Sequence, residues 1–307
     1  MPVLYVSNAI EVKETGNQRG RGVFARDPLP ASALLFKESP LIAIQHQKNR
    51  AAGARVCERC FRFLGPLEDQ IRSILVATGR SCAVVPSALP SVEGATELPA
   101  PVRCPGGCGL LFCSVGCAQA NFAEQHQLLC PGPAQPSCAS GSTAPPFSAD
   151  GGLQALMSDM QISPLPEALA RFEAHAAQSN EIFLLAAKAM ALVLCSVRAG
   201  SSLEAALEHF PGPLWWEAIA TPEDVADPEQ FRLTLKQLVT ESWQLLVPLL
   251  SPHAPAECAS FIGDPLAYAR IVGSFERRNC AVEVPVLYPY PVQTSPDPIR
   301  SHPAGPT

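Results

Sequence analysis

The sequence predicts an α+β protein, and three observations carry that expectation. Near the N-terminus apolar and polar residues alternate in short runs, at Val3 and Tyr5 and again at Ile10 and Val12, which is the period of strands. Between residues 57 and 130 seven cysteines and one histidine stand in four close pairs, with Cys82 outside them. Beyond residue 153 apolar residues recur every three or four positions, the period of amphipathic helices.

Taken in order, residues 3–15 read as short strands. The run Asn17-Gln18-Arg19-Gly20-Arg21-Gly22-Val23-Phe24-Ala25 follows. Its two glycines allow a tight turn and a close backbone approach to a ligand. Arg19 and Arg21 beside them can meet a carboxylate. A plain surface hairpin with solvated arginines accounts for the same residues. Leu34–Ala43 then reads as a strand pair around a Ser39-Pro40 turn.

The four pairs are Cys57-x2-Cys60, Cys104-x3-Cys108, Cys113-x3-Cys117 and His126-x3-Cys130. Each pair is short enough for both side chains to reach one ion. Zinc takes four such ligands in a tetrahedron, with Zn–S about 2.3 Å and Zn–N about 2.0 Å. The pattern therefore predicts two closed zinc sites. Spacing alone leaves the grouping open: residues 57/60 can join 104/108 in sequence, or the pairs can interleave. Closed sites leave no position for substrate water, so these ions are expected to be structural, and their binding energy is folding energy. Phe61–Ala77 has helical spacing at Leu64, Leu67, Ile71, Ile74 and Leu75. Val85–Val102, rich in Pro, Ser and Gly, reads as a loop. Val115–Leu129 is a helical stretch that carries His126. Residues 131–152 read as a linker, and Cys138 there has no partner at ligand spacing.

Five helices are expected next. Leu165–Ala177 is the first. Ser179–Val197 has Ser179 or Asn180 as N-cap, and Ile182, Leu185, Ala189, Leu192 and Val193 on one face. Gly200 suits its C-terminal stop. Leu203–His209 is short, and Trp215-Trp216 plugs a helix junction. Thr221-Pro222-Glu223-Asp224 opens like a helix start with proline at the first position. Gln230–Leu250 carries an apolar stripe at Phe231, Leu235, Leu238, Trp243, Leu246 and Leu249. Leu266–Phe275 reads as the last helix, and Phe275–Val284 shifts toward a strand. The last 23 residues, Pro285 to Thr307, hold seven prolines and no apolar period, the composition of a disordered tail.

Bulk properties narrow the function. The chain has 307 residues, is 47% hydrophobic, and carries a formal net charge of −6. That mildly acidic balance argues against direct nucleic-acid binding, which needs a positive footprint. Metal spacing claims seven of the twelve cysteines, and Met1-Pro2-Val3-Leu4-Tyr5 does not open like a signal peptide. A reducing compartment, nucleus or cytoplasm, is expected. The most apolar helix, 182–197, is interrupted by Lys188 and falls short of a membrane span.

Phe112-Cys113-Ser114-x-x-Cys117-Ala118-Gln119, followed by His126-x3-Cys130, resembles the second half of a MYND zinc finger. The order of the chain, with Arg19-Gly20-Arg21-Gly22 first, a return strand, then this finger and a helical region, resembles the SET and MYND domain family of protein lysine methyltransferases. The resemblance extends over residues 3–284 and implies the interleaved grouping. Cys57, Cys60, Cys113 and Cys117 would hold one zinc, and Cys104, Cys108, His126 and Cys130 the other. It implies S-adenosylmethionine as methyl donor, met by Arg19, Gly20, Arg21, Gly22 and Asn279; a turn or cap role serves Asn279 equally. It divides the chain into an N-terminal SET segment (1–50), the finger with a long insert (51–133), a linker (134–152), a helical SET insert with the start of the returning SET segment (153–284), and the tail (285–307). The implied partner is a protein substrate or peptide, a histone or a proline-containing motif. The family's N-H-S-C-x-P-N segment is missing. Tyr288 and Tyr290 lie between prolines, outside the context of the family's late tyrosine, so no catalytic residue is assigned. The expected architecture is thus a partial SET β core without a complete catalytic sheet. The expected function is lysine methyl transfer by a truncated chain, or, as the alternative, a non-catalytic zinc-finger adaptor.

Overall fold

A computed structural model describes residues 3–16, 21–77, 79, 99–133 and 164–278. Arg19, Gly20, Cys82, Cys138, Asn279, the 134–152 linker and the 285–307 tail lie outside the described residues. Within them the protein is a mixture of helices and small sheets, gathered around two separate cores.

The N-terminal segment forms two antiparallel ribbons. Strand β1 (Val3–Val6) pairs with β4 (Phe36–Glu38), and β2 (Ile10–Glu14) pairs with β3 (Arg21–Ala25). In the second ribbon Val12 faces Val23 across the strands, so their side chains share one face. That face is open: Val12 is 59% exposed and Val23 56%, while Ile10 is buried. The Leu34–Ala43 strand pair does not form. Only Phe36–Glu38 is strand, and it pairs back with β1. Leu41 and Ile42 instead pack on the helical core.

Helix α1 (Gln47–Ala51) leads into the cysteine-rich segment. There β5 (Val102–Arg103) pairs with β6 (Leu111–Phe112), and α3 (Val115–Glu124) follows. Ser114 starts α3 by accepting the Cys117 N–H at 3.1 Å. The expected Phe61–Ala77 helix begins only at Leu67, as α2 (Leu67–Ala77). Phe61 and Gly65 take left-handed backbone angles, φ 59° and 76°, which no helix continues through. Leu64, freed from the helix, is fully buried beside the cysteines. The helix carrying His126 is also shorter than expected. It stops at Glu124, and His126–Leu128 forms a separate 3-10 turn.

The helical unit comprises α4 (Pro164–Gln178), α5 (Ile182–Arg198), α6 (Leu203–Leu207), α7 (Trp215–Ala218), α8 (Pro228–Leu250), α9 (Ala259–Gly263) and α10 (Pro265–Arg278). Helix α5 is the hub, buried on most of its circumference, as a helix apolar all round should be. Asn180 Oδ1 accepts the N–H of Ile182, its first residue, at 3.0 Å, while Glu181 stands at the N-cap position itself. Trp215 is 1% exposed, its indole N–H donating to Glu276 Oε2 at 2.9 Å. One expectation fails here. The Thr221-Pro222 start is not used: α8 opens at Pro228, with Asp227 Oδ1 accepting the N–H groups of Glu229 and Gln230 at 3.0 Å. Of the run Phe275–Val284, expected to shift toward a strand, Phe275–Arg278 are still helix at the end of α10, and residues 279–284 lie outside the described residues. Among the described residues no helix is long and apolar enough to cross a membrane.

Candidate metal centre

Two knuckles and one helix assemble the site. In the first knuckle the Phe61 N–H donates to the Cys57 carbonyl at 2.9 Å. That turn aims Cys57 and Cys60 the same way. In the second, the Gly107 N–H donates to the Cys104 carbonyl at 3.0 Å, and the Gly106 N–H donates to Cys104 Sγ at 3.3 Å. Such N–H···S bonds stabilise a thiolate. Gly107 needs its φ of 81°, which favours glycine. Cys113 and Cys117 stand at the start of α3, one turn apart. His126 opens the 3-10 turn, and Cys130 stands two residues beyond its end.

These elements bring the eight residues into two groups. Cys57, Cys60, Cys113 and Cys117 form one; Cys104, Cys108, His126 and Cys130 form the other. Within each group all donor atoms lie within 4.8 Å of one another. Cys60 Sγ is 3.5 Å from Cys113 Sγ, and Cys113 Sγ is 3.5 Å from Cys117 Sγ. In the second group Cys104 Sγ is 3.9 Å from Cys130 Sγ, and Cys108 Sγ is 3.2 Å from His126 Nε2. The edges of a tetrahedron with Zn–S bonds of about 2.3 Å are about 3.8 Å, and an S···N edge is about 3.5 Å. The donor sets therefore suit a tetrahedral ion, and the pairs interleave.

The electrostatics point the same way. Burial, and next the positive Lys188, lower the His126 imidazole to about 4. It is neutral at physiological pH and has a lone pair to give. Burial first, then neighbouring cysteines, push Cys108 and Cys113 each up to about 12. Burial raises Cys60 and Cys130 as well. Cys57 goes the other way: burial opposes its ionisation, but the N–H groups of Cys60, Arg59 and Cys113 together bring it below the usual thiol value. Four thiols packed this tightly ionise together only when a cation compensates their charge.

Around the clusters lie residues whose contacts no spacing in the chain announces. Glu58, 7% exposed, pairs with Arg50 at 2.6 Å. Lys188 of α5 donates to the Ala43 carbonyl at 2.9 Å, and burial lowers its pKa while Glu58 opposes that shift. Both contacts join residues whose relation no local spacing reveals. Gly106 had a readable signal, the Gly106-Gly107 pair inside a Cys-x3-Cys loop. Of the proposed cofactor residues, only Arg21 and Gly22 are described. They lie in β3, with Gly22 opposite Lys13. A Cβ on Gly22 would stand 3.0 Å from both Phe24 Cε2 and Thr15 Cγ2, so the space beside this glycine is filled from within the ribbon.

The histone-lysine N-methyltransferase ATXR2 of Arabidopsis thaliana is 29% identical over 89% of this chain and 64% of its own length. The protein-lysine N-trimethyltransferase SMYD5 is 32% identical in Homo sapiens and 31% in Danio rerio, over 41% of this chain and 29% of each relative. The chain thus spans less than two thirds of the length of these relatives. No family model matches it, and no solved structure does. The chain is thus similar to curated histone-lysine and protein-lysine methyltransferases.

Proposed function

We propose that each cluster holds one structural zinc ion, and that the chain serves a SET and MYND type protein-lysine methyltransferase. The observation that carries this is the match to a histone-lysine methyltransferase along 89% of the chain. The sulfur and imidazole geometry supports the zinc reading. In this reading the ribbons of residues 3–38 are part of a SET β core, the clusters form a MYND finger, and α4–α10 include the helical insert. The substrate is a lysine amine on a protein, a histone among them, in the nucleus or cytoplasm.

S-adenosylmethionine, when bound, supplies the methyl group. Arg19, Gly20, Arg21, Gly22 and Asn279 are the residues proposed to meet it. The filled space beside Gly22 offers no opening on that side, and no step of the transfer is assigned to a described residue. Both closed clusters use all four positions on protein ligands, so neither ion takes part in the chemistry.

Titration with S-adenosylmethionine by calorimetry, followed by transfer of labelled methyl to histones, tests the activity. Heat of binding and label on lysine are expected. Neither heat nor label would leave the adaptor reading, in which the finger recruits a proline-containing peptide. Metal analysis is separate: two zinc ions per chain are expected, and a value near one breaks the ligand assignment.

A further inference from the structure

The segment from His126 to Cys130 belongs to both cores. Its ends, His126 and Cys130, are members of the second cluster. Its middle is not in the finger at all. Leu128, 2% exposed, is part of the helical core, and Leu129 packs against that core. Cys130, two residues on, is in the finger's core. Just before Leu128, Gln127 Nε2 donates to Cys195 Sγ on α5 at 3.5 Å. Among the described residues the first cluster has no such plug: Cys60 is exposed, Val115 beside the Cys113–Cys117 pair is 57% exposed, and α3, which carries Cys117, runs beside α5 but places no side chain in the helical core.

We propose that the second cluster is the latch that seats the finger on the helical unit: an ion held by Cys104, Cys108, His126 and Cys130 fixes both ends of the turn that drives Leu128 and Leu129 into the helical core. Emptying this cluster releases the finger from α5, and emptying the first does not. The inference rests on the reading of the clusters as metal sites. The physical reason is local. A 3-10 turn of three residues has little stability of its own. Clamped at both ends by one ion, it presents two leucines at a fixed angle. Unclamped, it must order itself against its own chain entropy.

Cys195 reports the seam. It is 6% exposed and faces Gln127, whereas Cys258 is fully buried in the turn before α9. Pulse alkylation of the full chain with N-ethylmaleimide, mapped by peptide mass, reads both. In Cys108→Ser, Cys195 is expected to label about tenfold faster than in the parent chain, with Cys258 unchanged, as for a local opening. In Cys60→Ser, Cys195 should stay within about twofold of the parent. Leu128→Ala keeps all eight ligands, so it should retain two ions yet also speed Cys195. Equal labelling in Cys108→Ser and the parent would overturn the latch, as would faster labelling of Cys195 and Cys258 together. Metal content separates the two failures: a parent chain without two ions sinks the metal reading itself, whereas two ions with an unresponsive Cys195 sink only the latch.

Discussion

At Gly106 the second cluster leaves no room for a side chain. A Cβ there would stand 2.5 Å from Cys130 Sγ and 3.0 Å from Phe122 Cε2. Relief has to come from the sulfur, since Phe122 holds the other side. Gly106→Ala should therefore lower zinc content toward one ion per chain, by metal analysis, and cost about 1–3 kcal/mol in thermal unfolding. Lys188 tests a different quantity. Burial lowers its pKa below the ordinary 10.5, with Glu58 opposing that shift and Arg50 adding to it. In the window between that lowered value and 10.5 the unfolded chain binds more protons than the folded one, so stability rises with pH there. Lys188→Met removes this slope. The melting temperature of the parent should climb relative to the variant as pH approaches 10.5, and a constant difference across that range would refute the buried ammonium. Neither residue's role was fully legible. The cluster residues come in pairs three or four apart, so the candidate ligands could be found by spacing, but which pairs converge depends on how β5, β6 and α3 fold back. Lys188 and Ala43 are far apart in sequence, and no period links them.

Helices were readable where propensity, cap and stripe agreed. In helix α5 Asn180 Oδ1 accepts the first helical N–H, Ile182, Leu185, Ala189 and Val193 are buried as expected, with most of the other faces buried beside them, and Gly200 takes φ 99° just beyond its end. Helix α8 shows what happens when start signals compete. Thr221-Pro222-Glu223 and Asp227-Pro228-Glu229 carry the same cap-proline-acid pattern. Only the second is followed directly by the apolar stripe, and burial of that stripe decides the start. Asp227→Ala should cost about 1 kcal/mol, the usual loss for a cap, while Thr221→Ala should leave the melting temperature unchanged. The stripe itself was displaced by tertiary contacts. The buried face of α8 includes Val239 and Ser242, the latter because its hydroxyl lies 2.8 Å from the buried Tyr268 hydroxyl. Gly273 was invisible to periodicity for a related reason: the chain at Pro213–Trp215 passes against α10 so closely that a Cβ on Gly273 would collide with the Pro213 carbonyl oxygen.

At the scale of the whole molecule, the two cores are built from different materials, and this sets how the protein should come apart. The helical core runs from Leu169 to Val272, with Leu128 inserted, and is almost wholly hydrocarbon. Among the described residues the finger's core has six buried members, of which Cys57, Cys104 and Cys130 are cluster residues and only Leu64, Phe112 and Ala118 are ordinary apolar side chains. Burying a large apolar side chain contributes about 1.5–3 kcal/mol, so so few of them cannot offset the ordering of a segment this rich in loops. Ions held by the two clusters, as proposed, would supply the difference. A chelator should then act selectively. Far-UV circular dichroism should retain most of its helical signal, because α4–α10 keep their core, while amide protection at residues 102–117 disappears. The N-terminal ribbons give an internal comparison, since two-stranded sheets with exposed faces are marginal on their own. Tyr5, Val12, Val23 and Phe36 are each more than two fifths exposed, so residues 3–38 should exchange quickly with or without metal. Collapse of the helical signal together with the finger would mean that the two cores fold as one cooperative unit, and that the separation seen in their packing has no thermodynamic counterpart.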